Sequence, residues 1–82
     1  MLSQEEILER LNKIFRDVLQ DDELRLTMTT TASDVDGWDS LAHVRLVVTV
    51  EKDFSVKLSA AEIGRLKNVG DLVMLLSRRL ST

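Results

Sequence analysis

Cysteine is absent from all 82 residues and histidine occurs once. The first absence excludes a disulfide framework and a thiolate metal site, and the second leaves too few borderline ligands for zinc. A chain without disulfides suits a reducing compartment, so the expected location is the cytoplasm. Aromatics are limited to two phenylalanines and one tryptophan, which means the core has to be built from Leu, Val and Ile. No apolar stretch approaches the ~20 residues that span a bilayer, and Met1-Leu2-Ser3-Gln4-Glu5-Glu6 lacks the basic and apolar regions of a signal peptide. Positive charge is not in excess either. Eleven Lys and Arg against fourteen Asp and Glu leave −3, which disfavours nucleic acid and membrane surfaces and points to proteins or small molecules as partners.

What is present reads as one small helical domain over residues 1–82, with a monomer as the default expectation. Ser3-Gln4-Glu5-Glu6 is a capping box, with Leu2 placed to staple onto Ile7. Ile7, Leu8, Leu11, Ile14, Phe15, Val18 and Leu19 follow at three- and four-residue steps, predicting a first helix that ends near Gln20. On its outer face Glu6 with Arg10 and Glu9 with Lys13 are spaced as helix-stabilising pairs. Residues 21–39 form a long aperiodic connection rich in Thr, Ser, Asp and Gly, with Leu26 and Val35 expected to pin it to the core. A connection of that length in so small a domain favours a functional segment.

A second helix is predicted from Ser40 to Phe54 with Asp39 as its N-cap. Its Val-rich run would also suit a strand, but the apolar residues step by three or four and not by two. Val44, Leu46, Val47, Val50 and Phe54 are expected to face the core, and Ala42, Arg45, Val48, Thr49 and Lys52 to face outward. Ser59-Ala60-Ala61-Glu62 opens a short helix reaching Leu66 or Lys67. Asn68 caps a last helix with Asp71 in its first turn, the stripe Val69, Leu72, Val73, Leu76 and Leu80, and Arg78 and Arg79 at its C-terminal end. The expected fold is all-α, a four-helix bundle of three main helices and one short one.

Chemistry concentrates between Asp34 and His43. A calcium loop starting at Asp34 would need an oxygen ligand at its fifth place and a glutamate at its twelfth, which are Trp38 and Arg45. Asp39, Ser40 and His43 supply the residue types of a hydrolytic triad, but they fall within one helical turn and leave no chain for a substrate cleft. His43 is expected at the surface. Ser40 itself stands where a helix N-terminus presents free N–H groups and partial positive charge, a favourable field for an attached phosphodiester. On these grounds alone, a simple capped helix and an exposed, modifiable serine are equally good readings.

Gly37-Trp38-Asp39-Ser40-Leu41 resembles the Asp-Ser-Leu motif of acyl and peptidyl carrier proteins, and the resemblance extends through Val44, Leu46, Val47, Glu51 and Phe54 to Val69-Gly70-Asp71-Leu72. It implies that Ser40, flanked by Asp39 and Leu41, receives 4′-phosphopantetheine from coenzyme A through a phosphopantetheinyl transferase. The arm's thiol would then carry an acyl thioester among loading enzymes and downstream transferases, so the protein would be a carrier and not an enzyme. The core between the second and third helices is a candidate shelter for an acyl chain. Carriers of general fatty-acid synthesis typically present an acidic motif helix, whereas here the exposed positions Ala42, Arg45, Val48, Thr49, Glu51 and Lys52 are mixed and partly apolar. That departure implies a specialised pathway and a recognition face made by Ala42, Arg45, Val48, Thr49 and Lys52. An aminoacyl or peptidyl cargo, and an unmodified helical interaction module, are the alternatives. A chain beginning at Met1 fits a freestanding carrier as well as an excised domain.

Overall fold

The computed structural model describes residues 2–80. Four helices account for most of them: α1 (Gln4–Leu19), α2 (Ser40–Phe54), α3 (Ala60–Gly64) and α4 (Val69–Leu80), with a 3-10 turn at Ala32–Asp34 inside the long connection. No strand occurs among the described residues. α1 starts at the expected capping box, where the Ser3 hydroxyl accepts from Glu6 N–H at 3.1 Å and the Glu6 carboxylate accepts from Ser3 N–H at 3.0 Å. It stops where Gln20 turns left-handed at φ 53°. α3 opens on a second box between Ser59 and Glu62 but closes at Gly64, two or three residues earlier than the sequence pattern suggests. Asn68 caps α4 as expected, accepting from Asp71 N–H at 2.8 Å.

The core forms where α1 lies against both α2 and α4. Ile7, Leu11 and Phe15 from α1, Leu46, Val50 and Phe54 from α2, and Val69, Val73 and Leu76 from α4 are buried in one cluster, with Leu26 and Val35 added from the connection. Two expectations about charged side chains need correcting. Glu6 is engaged by its own cap, and Arg10 reaches across to Asp53 instead, with Nη2 2.8 Å from the carboxylate and 2.9 Å from the carbonyl oxygen. Its guanidinium also covers the Phe54 ring at 4.5 Å, so a cross-helix geometry with three contacts displaces the weaker helix-surface pair. Glu51 likewise is no free surface carboxylate, because it accepts from Leu58 N–H at 2.8 Å and holds the segment leading to α3.

The long connection is tied down along its length. Asn12 of α1 accepts from Leu26 N–H at 2.6 Å while donating to Leu8 O, and Arg16 Nε donates to Leu24 O at 2.6 Å. Further on, Met28 O and Thr30 O accept from Gly70 N–H and Val69 N–H at 2.7 and 2.8 Å. The first amides of α4, which a helix cannot satisfy internally, are thus used to fix the connection. Gly70 is required there, since a Cβ would stand 2.5 Å from Met28 O.

Candidate functional site

The turn before α2 is built to present Ser40. Gly37 has φ +86°, a backbone state that favours glycine, and it lets the chain reverse between buried Val35 and half-buried Trp38. Trp38 folds back onto the core, its ring edge-on to Phe15 with centroids 4.9 Å apart at 86°. Asp39 then caps α2, its Oδ1 accepting from Ala42 N–H at 2.8 Å and its carbonyl from His43 N–H at 2.8 Å. Ser40, the first helical residue, is exposed, and it lines a shallow surface pocket with Ala32, Trp38, Asp39 and His43.

His43 is not the surface residue expected. It is half-buried, its Nδ1 accepts from Trp38 Nε1–H at 3.1 Å, and the two ring planes lie within 19°. That bond turns Nδ1 to the indole, and Asp39 spends an oxygen on the cap, so the pair cannot act as base and orienting acid for Ser40. Among the described residues, no three His, Asp or Glu side chains come together as a metal site.

Behind the surface pocket lies an apolar cavity of about 90 Å³, lined by residues that include Phe15, Leu46, Val47, Ile63, Leu66 and Leu72. It occupies the region between α2 and α3, and it shares Ala32, Trp38 and His43 with the pocket at Ser40.

Of the outward positions expected on α2, Arg45, Val48 and Lys52 are exposed and Ala42 and Thr49 are partly so, with the Thr49 hydroxyl bonded back to Arg45 O at 2.8 Å. Val44 is a correction: placed in the core by its apolar character, it is 60% exposed. The helical period explains this, because Leu41, Val44 and Val48 step by three and four and form a stripe on the side opposite Leu46 and Val50. Leu41 at 67% and Val48 at 42% exposure complete that stripe. The signal that could have found this exposed strip is the spacing of Leu41 to Val44.

Comparison with known proteins agrees over nearly the whole chain. The family described as "Phosphopantetheine attachment site" matches residues 9–76. The chain is 35% identical over 80 residues to an acyl carrier protein of Thermotoga maritima, covering 98% of this chain and 99% of that one. Identity to an acyl carrier protein of Petrotoga mobilis is 31%, covering 98% and 94%. The solution NMR structure of the holo acyl carrier protein of Geobacter metallireducens matches with a TM-score of 0.85 at 44% identity, over 90% of this chain and 85% of that one.

Proposed function

The chain belongs to the phosphopantetheine-attachment family of acyl carrier proteins, and from that premise we propose that Ser40 is the residue that takes the arm. Members of this family are carriers, not enzymes. The observation that carries the assignment is an exposed serine at the first turn of a capped helix, beside a pocket that backs onto an apolar cavity. In attachment Ser40 Oγ gives up its proton and bonds to the pantetheine-side phosphorus of coenzyme A as the pyrophosphate bond breaks and adenosine 3′,5′-bisphosphate leaves, so the protein need only keep the hydroxyl reachable. The α2 N-terminus, held by Asp39, favours the resulting negative charge, and exposed Leu41 stands next to the hydroxyl for a transferase to grip. Once attached, the arm supplies a thiol for a thioester, and residues 1–82, as one carrier domain, supply tether and recognition.

The cargo is an acyl group, and the partners are a phosphopantetheinyl transferase and acyl-handling enzymes. We read the pathway as specialised because the exposed face of α2 joins Leu41, Val44 and Val48 to Arg45 and Lys52, a poor complement to a uniformly basic docking surface. Location in the cytoplasm fits the absence of cysteine, and no helix among the described residues is long and apolar enough to cross a membrane.

Intact mass after incubation with coenzyme A and a broad transferase tests the assignment. One added phosphopantetheine on the wild type and none on Ser40→Ala is expected. Addition that survives Ser40→Ala would move the site elsewhere, and no addition to the wild type would defeat the carrier reading. For the recognition face, Arg45→Glu with Lys52→Glu should alter transfer with the native partner enzyme, and unchanged transfer would remove those residues from recognition.

A further inference from the structure

The shallow pocket at Ser40 is lined by four other residues, Ala32, Trp38, Asp39 and His43. A phosphodiester on Ser40 brings a negative charge into it beside the Asp39 carboxylate, and like charges at close range raise the cost of that charge unless a donor meets it. Few donors are left. Alanine has no polar side chain, a carboxylate only accepts, and the Trp38 indole N–H is already given to His43 Nδ1 at 3.1 Å. The amides of Ala42 and His43 are also taken, by Asp39 Oδ1 and Asp39 O, at 2.8 Å each. Among the side chains of the pocket, the donor that remains is on His43.

That donor is defined by the bond on the other side of the ring. An indole nitrogen only donates, so Nδ1, which accepts from it, carries no proton and the ring's proton stands on Nε2. Nε2 has no hydrogen-bond partner among the described residues, and none of their buried side-chain nitrogens lacks one, so Nε2 reaches solvent. Position brings it to the serine. His43 follows Ser40 by three residues, which places the two side chains on one face of α2, and both line the same pocket. The ring is also held still: it lies within 19° of the Trp38 plane, and Trp38 packs edge-on against buried Phe15. Resting on the reading of Ser40 as the attachment point, we propose that His43 Nε2–H donates to a non-bridging oxygen of the Ser40 phosphodiester, and that Trp38 is the positioning residue that fixes the tautomer and the ring. The bond is charge-assisted, and it anchors the root of the arm to α2 whatever the thiol carries.

His43 is the only histidine in the chain, so its ring nitrogens can be read by NMR in ¹⁵N-labelled protein without ambiguity. The ring should carry its proton on Nε2 before and after modification. Its Nε2–H signal, lost to exchange with water in the unmodified protein, should appear once intact mass shows phosphopantetheine in place. The energetic test crosses modification with His43→Phe in a double cycle, which cancels the field of the helix and the general cost of the substitution. In urea unfolding, modification should raise the folded-to-unfolded ratio about tenfold more in wild type than in His43→Phe, the low end for a hydrogen bond to a charged group. Trp38→Phe keeps an aromatic ring against Phe15 but frees Nδ1, and the ring nitrogen shifts should move toward a mixture of tautomers. Unchanged shifts would remove Trp38 from the assignment. A ring proton on Nδ1 in wild type, ring signals identical before and after modification, or an equal gain in wild type and His43→Phe would overturn the bond. The wild-type spectra decide it even where a variant does not fold. Failure of the wild type to gain any mass would instead reject the attachment reading itself.

Discussion

Gly70 offers a test in which a general rule and the local geometry predict opposite signs. In helices alanine is favoured over glycine by up to ~1 kcal/mol, so Gly70→Ala would ordinarily be stabilising. Here a Cβ would stand 2.5 Å from Met28 O and 3.2 Å from Asn68 Oδ1. Met28 O cannot simply retreat, because it accepts Gly70 N–H at 2.7 Å while Thr30 O accepts Val69 N–H at 2.8 Å. Moving the connection away forfeits those two bonds at ~1 kcal/mol each, and forcing the methyl into place costs about 1–3 kcal/mol. Set against the propensity gain, the expected net effect is a loss of about 1–2 kcal/mol. In a domain of this size that lowers Tm by about 4–16 °C, at roughly 4–8 °C per kcal/mol. Thermal unfolding followed by far-UV circular dichroism reads it directly. Gly64, whose Cβ position meets nothing within 4 Å, is the control, and Gly64→Ala should be neutral or slightly stabilising. Gly70→Ala as stable as wild type would refute the claim that α4 anchors the connection.

Asp39→Ala removes the cap from α2 and should cost ~1 kcal/mol, while Asp39→Asn keeps the acceptor and should cost only a few tenths; equal losses in urea unfolding would show that charge and not the cap bond matters. Glu62 is held down to about 2 from its ordinary 4.5 by the Ser59 backbone N–H first and by Arg79 second. Its contribution is therefore complete above pH 4.5 and is lost as pH falls toward 2, so the stability difference between wild type and Glu62→Gln should shrink across that window, and a constant difference would refute it. Arg10→Ala should lose about 1–2 kcal/mol through the Asp53 and Phe54 contacts, with Arg10→Lys recovering only part because lysine lacks the planar fork. Full recovery by lysine in the same unfolding assay would reduce the interaction to charge alone.

The helices were legible because their signals are local. Ser3 to Glu6, Ser59 to Glu62, Asp39 and Asn68 each act on a backbone amide within a few residues, and apolar spacing identified the core faces of α1 and α4. What was hidden depends on contacts distant in sequence. Asn12 and Arg16 look like ordinary polar residues of a solvated face until Leu24 and Leu26 fold back onto them, and nothing adjacent to Gly70 announces the Met28 carbonyl. Val44 was misplaced for a different reason. Hydrophobicity alone does not tell burial, because an apolar stripe left at the surface has the same composition as one turned to the core. Ser40 is singled out by its motif, whereas the hydrogen bond between Trp38 and His43 needs the fold, since a five-residue separation spanning a turn and a helix start has no fixed geometry in sequence.

The three demands on such a carrier fall on three sides of α2. Leu46, Val50 and Phe54 bury into the core, His43 and Val47 border the cavity, and Leu41, Val44, Arg45 and Val48 face solvent. A helix keeps these sides apart at fixed angles, so a substitution on one need not move another. Sites that share no partner combine additively. Arg45→Glu together with Val50→Ala should therefore show the partner effect of the first and the stability loss of the second, undiminished. Strong coupling between them would mean that packing of the core side sets the docking geometry of the outer face, in which case the sides of α2 are not independent.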